Sequence, residues 1–285
     1  AAADNWGFSE IHIAAEKPFG TSIDDADELH SDIIAAVPED NLHLVDHWLS
    51  FFMNRNLPEF RSIVQKALGQ SDWSALEFDK IVVTEYETRG LEGRGEFFDT
   101  VGQVRDMVQS HLLQVLALLL IDPSSPSRSE AKLEVFNKTI LKDCALGQYD
   151  GFLLEPDLTY HNASADATLC TVSFQVGLEA WMDVAVIIAT GKDMGTTLYT
   201  VDMYQKGGKG LLTYEVGKEE TGVAGIKVMD WPLIDSSNFS APYPGFQDSV
   251  FITTPAVSQA GEGYILQYND SSMYFPKPYA SMVSA

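Results

Sequence analysis

The stretch from Glu92 to Leu120, EGRGEFFDTVGQVRDMVQSHLLQVLALLL, constrains this chain more than any other. Val101, Val104, Val108, Leu112, Val115 and Leu119 recur at spacings of three and four, the period of a helix with one apolar stripe. From Leu112 onward the residues are apolar on nearly every side, so this helix has no face to offer water and belongs at the centre of a domain. The spacing predicts one long helix from about Glu96 to Leu120, entered through the glycine-rich turn that begins at Glu92. Asp106 and His111 stand on it five residues apart, roughly 7.5 Å along an axis that rises about 1.5 Å per residue. A carboxylate and an imidazole so placed can share one small ligand, although a histidine on a buried helix is also an ordinary hydrogen-bonded core residue.

Charge narrows the function classes. Among 285 residues, 41 acidic side chains against 18 basic ones give a formal charge of −23, which repels nucleic acid and anionic membrane surfaces. No lysine or arginine run approaches a phosphate-tracking patch. The longest apolar run, Val115 to Ile121, falls well short of the roughly 20 residues a membrane span needs. The N-terminus AAADNW carries no charged segment followed by an apolar one, so a targeting peptide is expected to be absent or removed. Four of the eight asparagines, Asn137, Asn162, Asn238 and Asn269, open an acceptor pattern where chance gives about one. That excess points to a secreted or endoplasmic reticulum lumenal glycoprotein, with coincidence in a cytoplasmic or organellar protein as the alternative. Cys144 and Cys170 fit either one bridge or two buried thiols, and two cysteines alone build no structural zinc site.

The rest of the chain divides into a helical first half and a strand-rich second half. Glu10 to Ala15 alternates as a short strand, and Ser22 or Asp24 caps a helix through about Ala36. Asp46 to Leu68 reads as helical with a kink or break at Pro58, and Lys80 to Glu87 as a strand. A further amphipathic helix is expected from about Ser129 to Lys142. Strands follow at Leu169 to Val176, Met182 to Ala189, Thr196 to Tyr204 and Leu211 to Val216, with Gly207-Gly208-Lys209-Gly210 as a hairpin turn. Beyond Thr254 only loops and short strands are expected. The order predicts an α+β fold: a large mixed, mostly antiparallel sheet with helices packed on one face.

EKPFG at Glu16 to Gly20, VDHWL at Val45 to Leu49 and EGRGEFFDTVGQVRDMVQSHLLQ at Glu92 to Gln114 occur in one order, followed by Gly147-Gln148-Tyr149 and Gly191-Lys192. Together they resemble the C-terminal domain of the glucose-6-phosphate dehydrogenase family, including its hexose-6-phosphate dehydrogenase branch. The resemblance runs from about Asn5 to Leu198 and returns weakly at Pro232 to Asp235 and Val250 to Thr254, which look like remnants of the family's helical C-terminal end. It implies NADP-dependent oxidation at C1 of the sugar, with His111 as base and Asp106 beside it. It also implies Lys17, His47, Glu87 and Lys192 as substrate contacts. Without the motifs, Lys17 and Lys192 read as solvated turn residues, Asp46 as a helix cap and Glu87 as a charge facing water.

The departures from the family pattern decide the expected function. Phe51 stands where the resemblance calls for a phosphate-gripping lysine, and Thr197 where it calls for an arginine. A dianion loses two attractive charges there. No GxGxxG opens a helix, so residues 1–15 read as a remnant of the coenzyme domain's last strand and 16–285 as one glucose-6-phosphate dehydrogenase C-terminal-like domain. That domain is shortened between about 200 and 235, where the family carries dimer contacts and a structural NADP. The expectation is therefore a pseudoenzyme with no cofactor or metal on this chain. It would work as a structural or binding component with another protein chain or as a homo-oligomer, holding at most a sugar or sugar phosphate. The alternative is a processed part of an active NADP-dependent hexose-phosphate dehydrogenase.

Overall fold

A computed structural model describes residues 11–17, 19–20, 22–51, 54, 57–69, 77–158, 164–208, 210–215, 225–229, 251–258 and 261–268. The chain forms two compact units, Ala1–Trp48 and Leu49–Ala285.

In the first unit, strand β1 (Ile13–Glu16), helix α1 (Ile23–Ala36) and strand β2 (Leu42–Val45) make a β-α-β turn, with β1 and β2 parallel from Ile13↔Leu42 to Glu16↔Val45. The expected cap is present: Ser22 Oγ accepts from Asp25 N at 3.1 Å, and Asp24 and Asp25 place negative charge at the helix's positive end. Pro38 stops α1, because the residue before a proline is driven out of the helical region and Val37 is extended at φ −136°. Gly20 sits at φ +100°, and a Cβ there would meet Ala26 N at 2.8 Å, so the turn into α1 admits only glycine. A short helix α2 (His47–Ser50) carries the chain onward.

The second unit is built on a nine-stranded sheet in the order β10-β11-β9-β8-β7-β3-β6-β5-β4. Its strands are β3 (Phe78–Tyr86), β4 (Thr139–Gly147), β5 (Leu169–Val176), β6 (Ala185–Gly191), β7 (Leu198–Gln205), β8 (Leu211–Glu215), β9 (Gly225–Met229), β10 (Phe251–Ser258) and β11 (Gly261–Tyr268). Every neighbouring pair is antiparallel except β3 with β6. The mixed sheet with helices is therefore as expected. The glycine cluster after β7 is the hairpin turn, with Gly207 and Gly208 at positive φ. Residues 251–258 form an antiparallel strand with β11 rather than a helical remnant, and Pro232 to Asp235 lie outside the described residues.

Helix α3 (Leu57–Ala67) accommodates Pro58 in its first turn, where no backbone donor is required. The long helix expected from Glu96 to Leu120 is three segments: α4 (Gly95–Gln103), a π-helix (Val104–Leu112) and α5 (Leu113–Leu120). Gly102, at φ 67° and ψ 167°, breaks α4 just before the π turn, and this leaves Val104 exposed instead of on the buried stripe. α5 is buried along its length as its composition demands, each large apolar side chain contributing about 1.5–3 kcal/mol. Its C-terminal carbonyls are buried too and need donors. Arg61 Nη1 donates to Leu119 O at 2.5 Å and to Ile121 O, and Trp181 Nε1 donates to Leu120 O at 3.1 Å.

Helix α6 (Arg128–Asn137), capped by Ser127, ends five residues before the expected Lys142. The chain turns to β4 at Thr139 because the β-branched Thr139 and Ile140 pair with Val176 and Gln175 of β5. Lys138, Ile140 and Leu141 also satisfy a helical pattern, which is why the spacing misreads them. Cys144 and Cys170 are free thiols, exposed and buried respectively. They are diagonal rather than facing across β4 and β5, since Cys144 opposes Val172 and Cys170 opposes Leu146.

Candidate functional site

In the second unit, sequence register brings two of the expected residues together. β3 and β6 run parallel with Tyr86 opposite Gly191, so the chains leave the sheet side by side at Glu87 and Lys192. Glu87 N donates to Gly191 O at 2.9 Å, and Lys192 Nζ donates to Glu87 Oε2 at 2.9 Å. Lys192 is 3% exposed and lies 5.7 Å above the Phe98 ring, whereas Glu87 remains 32% exposed. The reading that holds without the motifs, a solvated Lys192, does not apply: the ammonium is buried and the partly exposed Glu87 carboxylate is its counter-ion. Gly191 keeps this corner tight, because a Cβ there would come within 2.9 Å of Leu169 Cδ1 and Met194 Sδ.

Behind the ion pair lies a buried chain of side-chain hydrogen bonds that sequence reading did not find. Gln103 Nε2 donates to Thr190 Oγ1 at 2.7 Å, and Thr190 Oγ1 donates to Glu85 Oε2 at 2.8 Å, all three residues being fully buried. Strand alternation places Glu85 on the same side of β3 as Glu87, and a charge at such an inward position was the signal available. Gln103 Oε1 is buried and accepts no hydrogen bond among the described residues.

Asp106 and His111 are both buried on the π segment, which packs against β6. In an α-helix, residues five apart diverge by about 140° around the axis. A π turn closes its backbone bonds over five residues, so His111 comes above Asp106 on one face. Ser110 Oγ donates to Arg105 O, the same five-residue offset, at 2.7 Å. The five-residue spacing of Asp106 and His111 therefore matches the hydrogen-bond offset of the helix that carries them.

Phe51 is half-buried, and Thr197 Oγ1 lies 3.2 Å from Thr88 Oγ1, two neutral hydroxyls where the resemblance calls for a guanidinium. Asp166 has its carboxyl raised above its ordinary value by burial and by Asp99, opposed by Arg105. A surface hollow of about 480 Å³ lies by Trp181, Leu120 and Val135, away from Glu87 and Lys192.

In the first unit, Lys17 follows β1 directly and is half-buried. His47 Nδ1 donates to Glu16 Oε1 at 2.5 Å, and Asp46 Oδ1 accepts from Trp48 N at 3.0 Å, the capping role read from the sequence. The turn between β1 and α1 has one described glycine, Gly20, and the space beside it is taken by α1's own first turn. Among the glycosylation candidates, Asn137 is the exposed last residue of α6, and Asn162, Asn238 and Asn269 lie outside the described residues. No helix among the described residues is long and apolar enough to cross a membrane.

A mixed sheet whose one parallel pair ends in a buried Lys–Glu contact, with a histidine-bearing π turn packed on it, defines an α+β domain that gathers polar groups at strand ends. The family of the glucose-6-phosphate dehydrogenase C-terminal domain matches this chain over residues 65–221. Among curated proteins, glucose-6-phosphate 1-dehydrogenase 1 of Mycobacterium tuberculosis (strain CDC 1551 / Oshkosh) is 32% identical over 199 residues, covering 67% of this chain and 42% of the relative. The cytoplasmic glucose-6-phosphate 1-dehydrogenase 5 of Arabidopsis thaliana is 32% identical over 191 residues, covering 65% and 36%. A crystal structure of the Mycobacterium avium glucose-6-phosphate 1-dehydrogenase shares the fold at a TM-score of 0.69 and 22% identity, over 95% of this chain and 57% of that one. The chain belongs to the glucose-6-phosphate dehydrogenase C-terminal domain family. It spans less than half the length of these curated relatives.

Proposed function

We propose that this domain does not oxidise sugar phosphate by itself and serves as a structural or binding component that works with another chain or as a homo-oligomer. The observation that carries this reading is the Thr197–Thr88 hydroxyl contact at 3.2 Å beside a lysine already committed to Glu87. A sugar phosphate dianion needs cations that are not neutralised by the protein itself. With Thr197 and Phe51 neutral, Lys192 paired and a net charge of −23, the second unit offers it little attraction. Exposed Asn137 supports the lumenal or secreted glycoprotein reading, which an endoglycosidase mass shift on natural material tests.

The test of function is NADP reduction by the purified chain with glucose 6-phosphate. No turnover is expected, and turnover above background overturns the proposal. A second reading is favoured by the burial of Asp106 and His111 on one face of the π turn. In it, the chain is a processed part of an active NADP-dependent hexose-phosphate dehydrogenase, with His111 as base, Asp106 beside it, and Lys17, His47, Glu87 and Lys192 on the substrate. Intact mass of the natural protein together with its transcript distinguishes the two.

A further inference from the structure

We propose that the hollow between α6, the end of α5 and the turn Leu178–Trp181 is a docking groove for an arginine-bearing segment of a partner protein. The inference rests on the reading of this domain as a binding component, and it adds the partner's chemistry and its place on the fold.

The groove follows from the way the chain leaves α5. Asp122 Oδ1 accepts from Ser124 N at 2.8 Å and from Ser124 Oγ at 2.7 Å, a turn that carries the chain to the cap of α6 at Ser127. α6 packs back on α5, but the residues it turns to the hollow include only Ala131 and Val135 as apolar side chains, four apart on one face. Such small side chains leave a space of about 480 Å³, a volume in the range of ligand sites. Leu120, Ile121, Val135 and Trp181 line it and are each no more than 4% exposed, so they form its floor. Trp181 is pinned there, because Nε1 donates to Leu120 O at 3.1 Å and the Arg61 guanidinium lies 5.9 Å over the ring.

The mouth has the opposite character. Asp122, Glu130, Glu134 and Glu179 are all exposed along it, and none of the described residues lining the hollow is basic. Hydrogen bonds from Ser124 hold the Asp122 carboxyl below its ordinary value, which keeps it ionised. Arg61 gives its guanidinium to Leu119 O and Ile121 O beneath the floor. Lys138 meets Glu134 at 2.8 Å, but both are about half exposed and such a surface pair is weak.

Carboxylates around an apolar floor match a long cationic side chain, whose stem covers the floor while its head reaches the rim. Arginine suits this better than lysine, since its planar fork pairs with two carboxylate oxygens at once. Glu130 and Glu134 stand about 6 Å apart along the α6 axis. Side chains on one face of an extended strand repeat at roughly 6.6–6.8 Å, so arginines at alternate positions of an extended segment meet both. A second hollow of about 130 Å³ adjoins at Glu179–Trp181 and adds Glu77 and Asp183 against one Lys206. The acidic track thus continues past a single cavity, which favours a polypeptide over a free polyamine.

The test is fluorescence anisotropy of a labelled, blocked hexapeptide alternating arginine and alanine, titrated with the full chain at physiological ionic strength. Saturable binding is expected, and its loss when citrulline replaces arginine. Glu130→Gln/Glu134→Gln is expected to weaken binding about tenfold, whereas Asp24→Asn/Asp25→Asn on α1, the same change of net charge, leaves it unaltered. Ala131→Trp fills the hollow without changing charge and is expected to weaken binding comparably. Circular dichroism confirms that each variant is folded before it is scored. Absence of saturable binding, an equal response to the α1 pair, indifference to Ala131→Trp, or displacement by an equal concentration of spermidine overturns the proposal, the last by assigning the hollow to a small polycation. NADP reduction is scored separately: turnover with groove-specific binding overturns only the functional reading, and neither turnover nor binding overturns only the groove.

Discussion

Substituting Glu87→Gln strands the Lys192 ammonium inside the protein. Lys192 is 3% exposed and its charge is met by Glu87 Oε2 at 2.9 Å, with the Phe98 ring 5.7 Å away as a weaker cation acceptor. Removing one partner of a fully buried pair costs about 3–5 kcal/mol. Glu87 is 32% exposed, so water already shields part of the attraction, and the expected loss falls to about 2–3 kcal/mol. For a unit of this size that corresponds to a fall in Tm of about 4–12 °C. Lys192→Met removes the buried charge itself and leaves Glu87 near water, so its cost is expected to be about 1 kcal/mol or less. Urea unfolding of the two variants makes the comparison. Equal losses, or a larger loss in Lys192→Met, refute the claim that a buried ammonium depends on Glu87.

Other perturbations probe the neighbouring elements. Thr190→Val removes both side-chain hydrogen bonds of the chain from Gln103 to Glu85, so urea unfolding is expected to show a loss of about 1–3 kcal/mol; a change below about 0.5 kcal/mol contradicts the buried chain. Gly102→Ala forces a side chain into a region that only glycine occupies easily, with its Cβ 3.1 Å from Asp166 Oδ1, and is expected to cost about 1–3 kcal/mol and to disturb the π turn; a neutral result refutes the break. Asp166 has a folded pKa raised above its ordinary 3.8, so its favourable contribution is full below that value and is lost as pH rises through the folded pKa. Asp166→Asn is therefore expected to stabilise the protein at neutral pH, with the difference closing near about pH 3, and destabilisation at neutral pH contradicts the assignment.

Strands were legible where β-branched and aromatic residues cluster, as in KIVVTEY and AVIIATG, and the hairpin at Gly207-Gly208 was legible from its turn chemistry. The π-helix was not, because apolar residues three and four apart satisfy an α-helix and a single π turn alike. β4 was lost to the preceding helix for a related reason: its exposed Ile140, Leu141 and Leu146 show no alternation between a buried and a wet face. At the site, the resemblance nominated Lys192 and Glu87, while the residues taken alone also allowed a solvated turn lysine; only the parallel register of β3 with β6 reveals why Lys192 is buried against Glu87. Glu85 and Thr190 went unnoticed because their link spans 105 residues.

The most direct measurement is calorimetric titration of the chain with glucose 6-phosphate and with glucose, repeated on the Phe51→Lys/Thr197→Arg variant. The account predicts no preference for the phosphate in the natural sequence, and a gain of at least about tenfold when two cations are introduced, since each charge-assisted contact contributes about 1.5–3 kcal/mol. Saturable binding of glucose 6-phosphate by the natural sequence, tighter than glucose and abolished by Lys192→Met, contradicts it and favours a substrate site still in use.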